Sequence, residues 1–374
     1  MTQKGKLEEL TFELTRKCPL RCIICSSNGG ECFPREFDTD RVKAIIDDSV
    51  SMGVKRISLS GGEPLSRPDI VEICSFIKMR GLQLDLYTCG NSEKDGRIGP
   101  IPSELVTDLR HAGVDRMIFA IHGSSSEIHD RITARMKSYA NLLRSISSAV
   151  EAGLRTELHF VPTRFNYQSL PKVMNTLRKL NGTRLSVLRF VPQGRGMANR
   201  GELELTLHEI SQLKNLMSSL RKEHDESEFR IGAPFNSFHM GPPVPCTAGI
   251  DKATIRADGD VFPCVSMKGL IKKSNGNSLW DHSLQSIWSE AELFQWIRAY
   301  MSMVLSENSC SRCNDSSGCG GGCLTQRLIE GLPKMIDTYC LEDFPEALAS
   351  NMAGCHEAAP ASTEGWGYEA DNSR

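Results

Sequence analysis

Three cysteines within eight residues, Cys18, Cys22 and Cys25, make a Cys-x-x-x-Cys-x-x-Cys loop directly after a short alternating stretch, Leu10 to Leu14. Thiolates are the usual protein ligands of iron-sulfur clusters, and a cubane of four irons and four sulfides has four corners to hold. Three cysteines hold three corners, so the fourth iron is free for a group that is not protein. That is the layout of a reactive cluster. The same thiols joined by Cys32 would also satisfy zinc, and the surrounding chain has to separate the two readings.

A second field of cysteines lies far downstream. Cys246 follows the stiff run Gly241 to Pro245, and Cys264 follows a hairpin whose arms, Ala253 to Arg256 and Val261 to Phe262, are joined through Asp258-Gly259. Cys310, Cys313, Cys319, Cys323 and Cys340 come next. The chain holds 14 cysteines, and in a reducing compartment such groupings read as metal ligands before disulfides. A pair of structural zinc sites is the plain alternative for this field. Between the two fields stands Ser60-Gly61-Gly62-Glu63-Pro64, where two glycines let the backbone approach a ligand and the carbonyl and carboxylate oxygens can accept from an ammonium.

The elements that must position these residues are legible. From Leu10 to His224, short β-rich runs alternate with amphipathic helical ones, the pattern of βα units on a parallel sheet. The strands read as Leu10 to Leu14, Arg56 to Ser60, Gln83 to Thr88, Arg116 to Ile121, Arg155 to Val161 and Arg184 to Val191. Asp38 caps the first helix, and Gly53, Gly81, Gly113 and Gly153 stop successive helices. Six units fall short of the eight that close a barrel, which predicts an α/β fold, a partial (β/α)6 TIM-like barrel with its chemistry at the carboxyl ends of the strands. The expected organisation is an N-terminal extension over 1–9, the barrel over 10–224, a linker over 225–245, a cysteine-rich domain over 246–357 and a disordered tail over 358–374. One amphipathic helix is expected to carry Leu284, Ile287, Trp288, Leu293, Phe294 and Ile297 as core.

Composition narrows the partners. A net charge of -2 over 374 residues gives no general pull toward nucleic acid or an anionic membrane. No apolar run approaches the ~20 residues that span a bilayer, and the first residues lack a secretory signal, so a cytoplasmic protein is expected.

Taken together, the cysteine loop and the Gly61-Gly62-Glu63-Pro64 segment one βα unit later resemble the radical S-adenosylmethionine (SAM) superfamily, and the second cysteine field resembles the SPASM domain appended to many of its members. The resemblance implies a cluster on Cys18, Cys22 and Cys25 whose open iron chelates the methionine part of SAM. Reductive cleavage of the sulfonium, which needs a potential near about -700 mV, then yields a 5'-deoxyadenosyl radical. It also implies a SAM clamp at Gly61, Gly62, Glu63 and Pro64, a contact near Thr88, and an adenine-bordering backbone at Arg189, whose side chain could instead pair with a carboxylate in the barrel interior. His122 stands where many relatives carry a Ser-x-Asp-type ribose contact, and it is not assigned that role. Three [4Fe-4S] clusters are implied in all. The nearer auxiliary one would use Cys246, Cys264 and Cys323, with Cys355, Asp251 or an open position as its fourth site. The farther would use Cys310, Cys313, Cys319 and Cys340. No residue is named as catalytic acid or base.

Such an enzyme oxidatively modifies a peptide or protein substrate, as a ribosomal-peptide or cofactor-precursor maturase. Only 17 residues precede Cys18, so either a separate peptide-presenting protein supplies the substrate or the substrate is a small molecule. The second reading is a tetrapyrrole or other small-metabolite maturation enzyme; a zinc-stabilised binding protein without catalysis is the third. A flavodoxin- or ferredoxin-type electron donor is implied for either enzyme.

Overall fold

The computed structural model describes residues 5–30, 32–238, 240, 246–271, 276–307, 322–330, 337, 339 and 367–368. Its centre is one sheet. Strands β1 (Glu9–Glu13), β2 (Arg56–Ser60), β3 (Gln83–Thr88), β4 (Arg116–Ile121), β5 (Arg155–Phe160), β6 (Arg184–Val187) and β7 (Phe229–Ile231) lie side by side in that order, each parallel to the next. The six expected strands are all present. The sixth ends at Val187 rather than Val191: Leu188 still donates to the Phe160 carbonyl at 2.9 Å, and the chain then leaves the sheet.

Alternation along the strands sorts side chains to two faces. Leu10, Phe12, Ile57, Leu59, Leu84, Leu86, Phe119, Leu158, Phe160 and Leu185 belong to one continuous apolar core, which the helices cover. The interleaved residues Thr11, Ser58, Asp85, Tyr87, Arg116 and Arg184 line a cavity instead. An eight-stranded barrel fills its interior with branched apolar side chains. This shorter, open sheet keeps a polar one.

The helices run where the punctuation placed them. Asp38 accepts from the Arg41 N–H at 2.8 Å and caps α1 (Thr39–Ser51). α2 (Ile70–Met79), α3 (Ser103–His111), α4 (Ser126–Thr133), α5 (Ser138–Glu151) and α6 (Leu170–Lys179) follow, and the Thr206–Glu209 capping box opens α7 (Leu207–Glu223). Gly53, Gly81, Gly113 and Gly153 adopt φ of +89°, +75°, +85° and +76°, the left-handed turn that ends a helix.

The region beyond residue 224 joins this sheet at both edges. Phe229–Ile231, inside the segment read as a linker, extends one edge as β7. At the other edge β8 (Lys252–Ile255) pairs parallel with β1, from Glu9 against Lys252 to Phe12 against Ile255, and β9 (Val261–Phe262) folds back on β8. The expected single helix is two, α8 (Leu284–Glu290) and α9 (Glu292–Glu307), because Ala291 between them is extended. The break lets the apolar stripe serve two masses: Leu284, Ile287 and Phe294 enter the barrel core, while Leu293 and Ile297 pack with Ala248, Phe262 and Leu324. α10 (Leu324–Ile329) follows Cys323, and Gly367–Tyr368 pairs with Leu270–Ile271. Among the described residues no helix is long and apolar enough to cross a membrane.

Candidate active site at the carboxyl ends of the strands

The cysteine loop leaves the carboxyl end of β1 and is pinned from three sides. The Cys18 N–H donates to the Gly30 carbonyl at 2.9 Å, and Arg21 and Ile23 donate to Thr133 and Ile132 at the end of α4 at 3.1 and 2.9 Å. Past β6, Arg195 Nε donates to the Cys22 carbonyl at 2.9 Å and Asn199 to that of Ile23 at 3.2 Å. Gly194 lies so close over the loop that a Cβ there would meet the Cys25 carbonyl oxygen at 2.7 Å.

The three thiols act on one another. Burial pushes the Cys22 thiol well up, and the neighbouring Cys18 and Cys25 push it further. Cys18 goes the other way, held below the usual thiol range by a hydrogen bond from the Cys89 thiol. The Gly29 N–H donates to Cys25 Sγ at 3.3 Å. Three thiolates this close repel, and a cationic metal group removes the repulsion. Among the described residues no three His, Cys, Asp or Glu side chains converge tightly enough to enclose a single ion; the all-thiol donor set of the loop suits the larger frame of an iron-sulfur cluster.

Gly61 to Pro64 is folded against the strand that feeds this loop. Gly62 N–H donates to the Thr15 carbonyl and Glu63 N–H to that of Lys17, both at 2.7 Å. A Cβ on Gly61 would meet the Thr15 oxygen at 2.3 Å, and one on Gly62 the Arg16 and Lys17 oxygens at 2.3 and 2.4 Å. The glycines therefore make room for the chain itself. The Glu63 carboxylate is buried, not exposed: it accepts from Thr88 Oγ1 at 3.0 Å, Cys89 N–H at 2.7 Å and Leu65 N–H at 3.1 Å, and burial raises its pKa. Glu63 and Thr88, each expected near SAM, are in contact.

His122, at the end of β4, is buried with Nδ1 unpartnered, and burial lowers it to about 4, so the ring is neutral. The His122 backbone N–H donates to His129 Nδ1 at 3.1 Å, and its backbone carbonyl accepts from Asn166 Nδ2 at 3.1 Å. Deeper in the barrel is a charged cluster that the sequence reading did not single out. Glu157 takes Arg116 at 2.7 Å, Arg184 at 2.8 Å, His159 at 3.0 Å and Ser186. Although burial opposes it, these partners hold the Glu157 carboxylate well below the usual range. The signal was present in Arg155-Thr156-Glu157-Leu158-His159-Phe160, where charged residues take every second position of a buried strand.

Arg189 is paired with the Asp337 carboxylate, with Nη1 donating to both oxygens at 2.5 Å, and lies over the Tyr339 ring at 3.8 Å. The carboxylate partner considered for it is thus supplied by the distal segment. Asp337 also accepts from the Cys323 N–H at 2.6 Å. Cys323 belongs with Cys246 and Cys264: burial pushes the Cys264 thiol up to about 12, with the other two adding to the shift. Asp251 is tied through its carbonyl to the N–H groups of Glu8 and Glu9 at 2.7 and 2.9 Å. Cys310, Cys313, Cys319, Cys340 and Cys355 lie outside the described residues.

The two regions meet at Lys268. Its buried Nζ donates to Glu13 at the end of β1, to Ser27 at 2.5 Å and to Ser26 at 3.3 Å, immediately past Cys25. One residue on, the Gly269 N–H donates to Gln193 at 2.9 Å.

Residues 12–177 match the family model of the radical SAM superfamily, and residues 246–314 that of an iron-sulfur cluster-binding domain, SPASM. The chain is 29% identical over 331 residues to the mycofactocin maturase MftC of Mycobacterium tuberculosis, covering 87% of this chain and 80% of that protein. It is 28% identical to the PqqA peptide cyclase of Ruegeria pomeroyi, covering 88% and 85%. The AdoMet-dependent heme synthase of Methanosarcina barkeri is 25% identical, covering 86% and 92%. Among solved structures, SuiB of Streptococcus suis bound to S-adenosylmethionine superposes with a TM-score of 0.71 at 17% identity, over 90% of this chain and 78% of that one.

Proposed function

We propose, for a chain that belongs to the radical SAM superfamily and carries a SPASM domain, that this enzyme is a maturase acting on a peptide or protein substrate. The observation that carries the reading is the loop of Cys18, Cys22 and Cys25 set at the carboxyl end of β1, with Gly61 to Pro64 hydrogen-bonded to the residues leading into it. Likeness to the PqqA peptide cyclase and to MftC supports the substrate class.

The chemistry that a bound four-iron cluster and SAM supply is reductive cleavage of the sulfonium, giving a radical able to take hydrogen from an unactivated carbon. The chain's own residues do the positioning. Cys18, Cys22 and Cys25 hold three cluster corners. Glu63, fixed by Thr88 and the Cys89 N–H, holds the Gly61-Gly62 turn, which would contact SAM, and Arg189 would contribute its backbone on the adenine side. Neutral His122 at the barrel mouth offers Nδ1 as a hydrogen-bonding atom. Cys246, Cys264 and Cys323 hold a nearer auxiliary cluster, and Cys310, Cys313, Cys319 and Cys340 a farther one, three [4Fe-4S] clusters in all. An oxidative outcome, such as a new carbon-carbon or thioether bond, needs that electron sink. The reading includes a flavodoxin- or ferredoxin-type donor, a separate protein presenting the peptide, and a cytoplasmic setting that keeps the thiols reduced.

A second reading, a tetrapyrrole or other small-metabolite enzyme, is favoured by the match to the heme synthase over 92% of that protein. One experiment divides them. The reduced, anaerobically reconstituted enzyme is given SAM and cell extract split by size, and 5'-deoxyadenosine is measured. A rise above the uncoupled background only with peptides supports the maturase. A rise only with small metabolites replaces it with the second reading.

A further inference from the structure

The barrel has a second opening, at the amino ends of its strands and so at the opposite end from the cysteine loop. A cavity of about 600 Å³ lies there, within the size range of small-ligand sites. We propose that it is a binding site for clustered oxyanions, carboxylate or phosphate groups, which nothing in the reaction described above uses.

The lining follows from strand register. Thr11, Ser58, Asp85, Arg116 and Arg155 face one another across β1 to β5 as one transverse row. Arg56, Arg116, Arg155 and Arg184 are each the first residue of their strand, and Arg230 of β7 completes five guanidiniums on the wall. An arginine at a strand start serves the fold when a carboxylate answers it, and three of these are answered. Arg116 takes Asp85 at 2.6 and 3.1 Å and Glu157 at 2.7 Å; Arg184 shares Glu157 at 2.8 Å; Arg56 takes Glu9 at 3.0 Å. The other acid on the wall, Asp115, is held by Lys78 at 2.6 Å and the Leu84 N–H at 2.7 Å.

Arg155 and Arg230 have no carboxylate partner among the described residues. Two positive charges are therefore left over in a concave site whose protein walls concentrate their field. The guanidinium fork matches the two oxygens of a carboxylate or the edge of a phosphate. The required anions can be carried by a free small molecule or by the acidic side chains of a peptide, and the site does not depend on which substrate the radical chemistry takes.

Calorimetric titration of the anaerobic holoenzyme tests this with three probes: inorganic pyrophosphate, citrate and tetraglutamate, with tetraglutamine as the uncharged control. The expected result is saturable binding of at least one anion, absent for tetraglutamine, and weakened about tenfold or more in Arg155→Gln/Arg230→Gln, with iron content and basal SAM cleavage unchanged. Preference for tetraglutamate identifies a peptide source, and preference for pyrophosphate or citrate a free anion. Should the double variant fail to fold, exposed Arg155→Gln alone must weaken binding. No saturable binding of any anion, or equal binding by a folded variant, overturns the proposal.

Discussion

Cys22 sits in an environment that a cationic metal group would relieve. Desolvation and the neighbouring Cys18 and Cys25 disfavour its thiolate, and a cationic cluster would take up that charge. If Cys18, Cys22 and Cys25 hold the cluster, Cys22→Ala removes one of its three loop ligands, and 5'-deoxyadenosine formation, followed by chromatography, should fall to background. His122 makes a different prediction. Its folded pKa of about 4 lies below the ordinary 6.5 because of burial, so the stability that its neutral ring contributes is present above pH 6.5 and is lost as pH falls through about 4. The shift corresponds to about 3 kcal/mol. His129 is depressed in the same direction, by burial and by His122, so the difference between wild type and His122→Gln reports the His122 share together with its effect on His129. Denaturant melts should show that difference shrinking or reversing in favour of the variant as pH drops from 7 to 4; a constant difference would contradict a neutral buried ring.

At the scale of elements, the joint between the two regions is a buried charge. Lys268 reaches Glu13 and both serines after Cys25, and each side chain of the pair is nearly inaccessible. Removing one partner leaves the other buried and unpaired, a cost of about 3–5 kcal/mol. Lys268→Met should be destabilised by that order, and Glu13→Gln/Lys268→Met should recover much of the loss in a double-mutant cycle by equilibrium unfolding. Additive losses would mean the pair does not couple the regions. Such a joint could not be read from the chain, since residues 13 and 268 are brought together only by the β1–β8 pairing. The hairpin that contains β8 was legible from Asp258-Gly259, but its attachment to β1 is not a local property. Six strands were legible because alternation and helix-ending glycines agree with each other. β7 was not: Phe229 and Arg230 close a charge-rich run that begins at Arg221, Ile231 follows it, and only the neighbouring β6 makes the three a strand. Glu63 and Thr88 were each placed at a strand end, but neither their contact nor the engagement of Arg189 by Asp337, which spans 148 positions, carried a local signal.

For the molecule as a whole, the arrangement separates two tasks. The barrel end of the chain gathers Cys18, Cys22 and Cys25, and the distal region gathers Cys246, Cys264 and Cys323, joined through the Arg189–Asp337 pair, whose carboxylate also holds the Cys323 N–H. If the distal cysteines serve electron transfer, Cys340→Ala should leave SAM cleavage largely intact while product falls at least about tenfold, as expected when a step after radical formation is lost. Full product formation by that variant would remove the farther cluster from the mechanism.

The parallel pairing of β8 with β1 also sets a schedule for biosynthesis. β1 leaves the ribosome well before its partner, and one of its edges is covered only when Lys252–Ile255 arrives, some 240 residues later. At ordinary elongation rates of about 5–20 residues per second, that edge stays open for roughly 12–50 s. An unpaired parallel edge is a template for other chains. The nascent barrel is thus most exposed to misassociation before its distal region exists, and the strand that accompanies the second cysteine field is the one that closes the vulnerable edge.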